Sequence, residues 1–148
     1  MRKAFLSFLL LASLAATGCA TPQVTLKDAL LTKLTPKNLE IGLDLDILNP
    51  NQFAIPLSSV DWDLDLFNTD FTKGKTPFSR QIGPEQHARV RVPLGIEFRS
   101  IRVGVQSLLT KRAIPWKIAG GCSFRIPSSS PLRIGFEKSG SWRNPLMR

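Results

Sequence analysis

The sequence has few of the residues that carry out catalysis or bind metals. It contains one histidine, His87, and two cysteines among 148 residues. A nucleophile and base pair needs such groups in combination, and a zinc site draws its ligands mostly from histidine and cysteine. A Gly-x-Ser-x-Gly motif and a glycine-rich phosphate loop are also absent. We therefore predict that the protein is not an enzyme and that it binds no metal and no cofactor.

A disulfide between the two cysteines is not expected, because Cys19 ends a segment with the features of a lipoprotein signal peptide. Two basic residues precede an apolar run over 4–14, which is too short to cross a bilayer, and small residues lead into Cys19. We predict cleavage of residues 1–18 and diacylation of Cys19. An ordinary secreted protein with an incidental Cys19 and a transmembrane anchor are the alternatives. Cys122 is then unpaired and is predicted to be buried.

The residues after Cys19 predict where the anchored protein lies. In some bacteria an aspartate directly after the lipidated cysteine retains a lipoprotein in the inner membrane. This position is occupied by Ala20, so we expect the outer membrane, facing the periplasm. Residues 19–23 form the lipidated cysteine and a short tether. Four extended residues reach about 14 Å at most, so the following domain is expected to stay close to its membrane. The membrane is thus the first predicted partner.

Acidic residues are scarce in the second half of the chain. Residues 87–148 hold 12 Lys or Arg and two Asp or Glu, whereas residues 20–86 hold six and nine. This asymmetry favours a negatively charged partner, and an exported lipoprotein does not ordinarily meet nucleic acid. Anionic lipid or an acidic envelope polymer is expected instead, while a solvated basic face is the alternative. The predicted contact residues are Arg99, Arg102, Lys111 and Arg112; a protein partner cannot be read from the sequence.

Alternation of apolar and polar residues dominates the middle of the sequence and predicts β-strands. It is strict over 39–47, 60–66, 88–96, 114–126 and 132–136, and weaker over 24–31 and 71–75. Turn residues separate these segments, as in Asn49-Pro50-Asn51. About seven strands at this spacing predict an all-β antiparallel β-sandwich. We predict that Gly120-Gly121 forms no bulge, which places Cys122 in the core.

One segment, 98–108, does not alternate and instead has apolar residues spaced three and four apart, as in a helix. Phe98, Ile101, Val105 and Leu108 share one face, which predicts one short amphipathic α-helix that closes an end of the sandwich. On the strands, Asp44 and Asp46 are expected to pair with Arg89 and Arg91 if the strands are neighbours.

Alternate aspartates at 61, 63 and 65 resemble the start of a calcium-binding loop. Such a loop needs a glycine at its sixth position, and Leu66 and Phe67 follow instead. We interpret the aspartates as the exposed face of a strand, where they also discourage aggregation between sheet edges.

The order of these motifs resembles a known family. The Asn49-Pro50-Asn51 turn, the strand over 62–66, the segment 116–120 and the closing segment 134–140 are similar to the late embryogenesis abundant (LEA) type 2 or WHy domain, WHy standing for water stress and hypersensitive response. The resemblance covers 24–142 and leaves 143–148 as a C-terminal tail. It implies an immunoglobulin or fibronectin type III-like sandwich of about seven strands with one short α-helix.

The resemblance also implies a function in tolerance of desiccation, without an established enzymatic site, and the bacterial members include lipid-anchored forms. The expected function is therefore non-enzymatic protection of the cell envelope by a membrane-anchored lipoprotein during water stress. The alternative is an envelope interaction or assembly module that binds a protein, a lipid or an acidic polymer through its basic face or a sheet edge.

Overall fold

The computed structural model describes residues 20–101, 104–127 and 130–147, and the backbone alone at Ser100. About two thirds of this part of the chain is in β-strands. The strands, in chain order, are β1 (Gln23–Leu34), β2 (Asn38–Leu48), β3 (Ile55–Leu66), β4 (Thr69–Ile82), β5 (His87–Glu97), β6 (Ala113–Phe124) and β7 (Leu132–Arg143). A 3-10 turn, Phe98–Ser100, and one helix, α1 (Val105–Thr110), lie between β5 and β6.

The strands form two antiparallel sheets that pack face to face. One sheet has the order β1-β2-β5 and the other β4-β3-β6-β7. The predicted class, an immunoglobulin or fibronectin-like sandwich of seven strands with one short helix, is confirmed. Alternation explains why these residues form strands: five apolar residues of β2 face the core and are 1% exposed or less, while the polar residues between them face outward or lie at half-buried positions.

The helix is shorter than the apolar spacing predicted. Phe98 belongs to the separate 3-10 turn, Ile101 lies in irregular backbone, and α1 begins only at Val105. Gly104 precedes it with a φ of 88°, a left-handed conformation that interrupts a right-handed helix. The predicted role in closing one end of the sandwich is met by Leu108, which is fully buried against the core.

The paired glycines of β6 do not form a bulge, as expected. The pairing of β6 with β7 runs without interruption from Ala113 opposite Arg143 to Phe124 opposite Leu132. Inward and outward positions therefore keep their parity, and Cys122 lies in the core with no exposed surface. The lone thiol is buried, as the sequence predicted.

The two ends of the sandwich differ in what they contain. Consecutive strands run in opposite directions, so residues 20–22, 49–54, 83–86, 125–127 and 130–131 gather at the end where β1 begins, which we call the Ala20 end. Residues 35–37, 67–68, 98–101, 104–112 and 144–147 gather at the other, which we call the helix end. β2 has 11 residues, so at about 3.3 Å per residue the ends are about 35 Å apart.

The outer edges of the sheets carry features that oppose further strand pairing. β1 is interrupted by two irregularities in its pairing with β2, after Leu26 and after Leu31. The edge strands β4 and β5 contain Pro77 and Pro93, which have no amide hydrogen to donate. β7 lies against β1, where the indole nitrogen of Trp142 donates to the carbonyl oxygen of Ala29 at 2.7 Å. The described strands therefore present few continuous edges.

Candidate functional site

Two of the predicted functional residues, Cys19 and Arg102, lie outside the described residues. The structure does describe Ala20, the residue that follows Cys19, and it describes the surroundings of the Asn49-Pro50-Asn51 turn and most of the predicted basic residues. Among the described residues, no helix has the length and apolar character needed to cross a membrane.

Asn49 organises the Ala20 end from a fully buried position. Its side-chain amide nitrogen donates to the carbonyl oxygens of Phe53, Ile82 and Gly83, at 2.8, 3.1 and 3.1 Å. Its side-chain oxygen accepts from the backbone and the side chain of Asn51, at 3.0 and 3.1 Å. Asn49 thus ties the end of β2 to the end of β4 in the other sheet. Pro50 is compatible with this turn because the hydrogen bonds of Asn49 described here do not use a backbone amide hydrogen at position 50.

Asn51 joins the same turn to the residue beside the predicted lipidation site. Its side-chain oxygen accepts from the amide of Ala20 at 2.7 Å, and its side-chain nitrogen donates to the carbonyl oxygen of Ala20 at 2.9 Å. Asn51 is 6% exposed, so these bonds are largely sheltered from water. Any group attached at Cys19 is therefore one residue away from a fixed point of the domain.

A second buried Asn-Pro turn, which the sequence analysis did not single out, closes the helix end. Asn144 is 1% exposed and donates to the carbonyl oxygens of Leu108 and Lys111, at 2.8 and 2.7 Å. Its side-chain oxygen accepts from the backbone amide of Leu146 at 2.9 Å. The side-chain oxygen of Asn49 accepts the equivalent bond from the backbone amide of Asn51. The repeated Asn-Pro dipeptide is the sequence signal for it. The segment assigned above to the tail thus contributes a buried residue.

The predicted basic residues that the structure describes lie at the helix end. Arg99 pairs with Glu97 at 2.7 Å, and Lys111 and Arg112 are exposed. Two clefts open beside them. One, of about 900 Å³, is lined by Arg112, Ala113, Ser141, Trp142, Arg143, Asn144, Pro145 and Met147. The other, of about 600 Å³, is lined by Pro36, Lys37, Asn38, Glu97, Phe98 and Arg99.

The predicted pairing of aspartates and arginines across β2 and β5 holds for one pair. The register places Asp44 opposite Arg91 and Asp46 opposite Arg89. Arg91 binds Asp44 through two hydrogen bonds of 2.6 and 2.9 Å, which lower the pKa of the Asp44 carboxyl. Asp46 contacts His87 at 3.3 Å instead. The pairing aligns the strands and brings no reactive groups together.

A second ion pair crosses three strands of the larger sheet. Arg133 on β7 passes over Gly121 on β6 and binds Asp61 on β3, at 2.7 and 2.8 Å. A side chain at Gly121 would displace it, because a Cβ there would lie 2.6 Å from the guanidinium carbon. The hydrogen bonds from Arg133 lower the pKa of the Asp61 carboxyl below its ordinary value.

Replacing Arg133 with glutamine is expected to destabilise the domain by about 0.5 kcal/mol at pH 6, a small value because both side chains are partly exposed. A lowered pKa contributes stability above the unfolded value near pH 4, and that stability is lost as the pH falls through the folded value. The difference from the unmodified protein should therefore vanish near pH 2. Urea unfolding at pH 6 and pH 2 measures the free energy of unfolding of both proteins. The control is Lys117→Gln, which breaks the more exposed pair of Lys117 and Glu137. A difference that persists at pH 2 would contradict the interpretation.

The remaining candidate groups do not assemble a reactive site in the described part of the chain. Burial raises the pKa of the Cys122 thiol to about 12, so the nucleophilic thiolate is almost absent at neutral pH. His87 is exposed at the Ala20 end of β5 and contacts Asp46 rather than a thiol.

The aspartates of β3 are on the outer face of the sheet, as predicted. Asp61 is engaged by Arg133, while Asp63 and Asp65 gather with Asp70 of β4, with carboxylate oxygens within 4.8 Å of one another. Exposed acidic clusters of this kind are common on protein surfaces without a bound ion.

The fold is a β-sandwich in which the buried asparagines of two Asn-Pro turns, Asn49 and Asn144, bind backbone carbonyl oxygens at opposite ends. The sequence matches the late embryogenesis abundant protein family, LEA_2, over residues 44–140. The chain belongs to this family, as the resemblance predicted, and the family is in general not enzymatic. No curated protein matches the chain significantly.

Solved structures with the same fold come from distant organisms. A protein from Archaeoglobus fulgidus is 13% identical, with a TM-score of 0.59 over 84% of this chain and 98% of its own. The Arabidopsis thaliana protein AT1g01470 is 16% identical, with a TM-score of 0.67 over 85% and 83%. The late embryogenesis abundant (LEA) protein At2g46140.1 is 19% identical, with a TM-score of 0.68 over 86% and 73%. At these identities the similarity establishes the fold.

Proposed function

We propose that this protein is a bacterial lipoprotein that carries a LEA type 2 domain of the WHy kind and protects the cell envelope during water stress without catalysis. The mature chain begins at diacylated Cys19 in this proposal, and the domain is held on the periplasmic face of the outer membrane. Membership of the LEA type 2 family supports the protective part of the proposal.

The pairing of Asn51 with Ala20 is the observation that carries the anchoring part. Two hydrogen bonds hold the backbone of Ala20 against a buried side chain. An acylated cysteine directly before Ala20 would therefore leave no slack between the lipid and the folded body. Two or three acyl chains bind a bilayer far more firmly than one, so the domain would remain at the surface permanently.

A non-enzymatic role fits the chemistry of the described residues. The thiol of Cys122 is buried, and its raised pKa of about 12 removes it as a nucleophile. The two clefts at the helix end are lined by neither Cys122 nor His87. A rigid sandwich that stays folded at the bilayer acts by contact, which suits protection when water is withdrawn.

Labelling with a palmitate analogue followed by membrane fractionation tests the anchor. The unmodified protein is expected in the outer membrane fraction with label, and Cys19→Ser is expected unlabelled and released from the membrane. Cys122→Ser is the matched control, because it removes the other thiol and should be labelled like the unmodified protein. Label that persists in Cys19→Ser would overturn the anchoring proposal.

Survival on drying tests the protective part. A deletion strain is expected to lose viability after desiccation or osmotic shock, and the plasmid-borne unmodified gene should restore it while Cys19→Ser should not. Equal survival of all three strains would contradict protection. It would favour the second candidate, an envelope interaction module, which the basic helix end supports.

A further inference from the structure

The basic residues predicted to meet an anionic surface lie far from the predicted anchor. Ala20 is fixed at one end of the sandwich by Asn51, whereas Lys111 and Arg112 are at the helix end. The length of β2 separates the two ends by about 35 Å. A domain that stands on Cys19 would therefore point these residues away from its own bilayer.

The connecting segments at the two ends differ sharply in charge. The described segments 35–37, 67–68, 98–101, 104–112 and 144–147 contain four Lys or Arg and no Asp or Glu. The described segments at the Ala20 end, 20–22, 49–54, 83–86, 125–127 and 130–131, contain one Arg and one Glu. The strand ends that border the helix end add Arg143 and four acidic residues, of which Glu97 pairs with Arg99 and Asp63, Asp65 and Asp70 cluster beside the 67–68 turn. The excess positive charge at this end is therefore local to Lys37, Lys111, Arg112 and Arg143.

Ionic screening separates the helix end from the anchoring bilayer. The Debye length is about 8 Å at physiological ionic strength, so about 35 Å is roughly four screening lengths. Lipid phosphates around the anchor then exert almost no attraction on the helix end. A partner for its positive charge must come from the side of the protein that faces away from the anchoring bilayer.

The shape of the helix end favours an extended chain over a flat surface. The larger cleft places Arg112 and Arg143 around Trp142, whose ring stacks on Trp116 with centroids 5.3 Å apart. The second cleft adds Lys37 on the same end, and it is also lined by Arg99, which is paired with Glu97. Grooves bordered by cations suit a linear polymer that carries carboxylates, and a bilayer is too broad to enter them.

We propose that the helix end binds an acidic glycan chain on the side of the domain that faces away from the anchoring membrane. The orientation rests on the acylation of Cys19 proposed above, whereas the binding surface does not. The domain would then bridge a lipid bilayer, held at the Ala20 end, and a carboxylated envelope polymer, bound at the helix end.

Charge reversal at the helix end tests the binding surface. The acylated protein is reconstituted in vesicles of neutral phosphatidylcholine, and binding of labelled polygalacturonate is measured at low and at high salt. Arg112→Glu/Arg143→Glu is expected to weaken binding at least tenfold. Arg80→Glu/Arg125→Glu is the matched control, because it makes the same change of charge near the Ala20 end and should weaken binding less than threefold.

Several outcomes would overturn the proposal. They are no binding of polygalacturonate by the unmodified protein, an equal loss in both variants, and capture of anionic phosphatidylglycerol vesicles in preference to the polymer. Thermal unfolding checks that each variant is folded. Lys37→Glu/Lys111→Glu is a second helix-end pair, in case the first fails to fold, and the same tenfold loss is expected.

The orientation is tested separately from the polymer. Fluorophores are attached to cysteines introduced at Gln52 or at Lys111, because buried Cys122 does not compete for the label. A quencher on the lipid headgroups is expected to quench the label at position 52 strongly and the label at position 111 hardly at all. Equal quenching would mean that the domain lies flat, which overturns the bridging arrangement. Failure of the protein to float with the vesicles would contradict the anchor, and polygalacturonate binding by the same protein and variants in solution then tests the binding surface alone.

Discussion

Replacement of Asn49 with aspartate is expected to destabilise the domain by about 3–5 kcal/mol. The change keeps the shape of the side chain but removes the three hydrogen bonds to Phe53, Ile82 and Gly83. It also places a carboxylate against three carbonyl oxygens at a site with no exposure to water. Such a loss is a large part of the roughly 5–15 kcal/mol that holds a domain of this size folded.

The control for this change is Asn38→Asp, which is expected to cost less than about 0.5 kcal/mol. The side-chain oxygen of Asn38 accepts a hydrogen bond from the hydroxyl of Thr35, and aspartate can accept it as well. Unfolding in urea at pH 7, followed by circular dichroism, compares the two variants. Similar midpoints would mean that the buried bonds of Asn49 do not hold the sheets together.

Gly120→Ala is the second change for which we expect a large effect, about 3 kcal/mol of lost stability. A Cβ at this position would lie inside the contact distance of the carbonyl oxygen of Asp61 and 3.0 Å from the Cζ atom of Phe136. The first of these neighbours is backbone of β3, which cannot move aside without opening the pairing with β6. The centre of the larger sheet would therefore have to distort.

Gly95→Ala provides the comparison within the same fold. No atom lies within 4 Å of a Cβ built at Gly95, so alanine is expected to be neutral or to stabilise by up to about 1 kcal/mol through the unfolded chain. Thermal unfolding of both variants measures the contrast. A Gly120→Ala protein as stable as Gly95→Ala would show that β3 and β6 are not packed as closely as the structure has them.

The strands were predictable where one face is apolar and the other polar. Alternation over 39–47 corresponds to β2 because its apolar residues all face the core. β4 gave only a weak signal over 71–75, although it has 14 residues. Its inward positions hold Thr72, Gly74 and Thr76 in place of large apolar residues. Gly74 is small because the ring of Trp62 covers it, so packing between strands removed the pattern along the strand.

The features of the site were predictable to different degrees. The Asn49-Pro50-Asn51 turn was identified from turn chemistry and from its place after a strand, but its bonds to Ala20 and Gly83 join segments that are distant in sequence. Asn144 was missed because one Asn-Pro dipeptide near the C-terminus does not show that its side chain is buried. Arg99, Lys111 and Arg112 lie at the end opposite Ala20 because five antiparallel strands, an odd number, separate them from it.

The prolines and the pairing irregularities of the edge strands should limit aggregation of the protein when it is dried. When water leaves, copies of the protein are forced together at concentrations that encourage fibril growth by strand addition. Pro77 and Pro93 each remove a donor that an incoming strand would need, and the irregularities of β1 break its register. Aggregates formed on drying should thus dissolve again on rehydration and return monomeric protein.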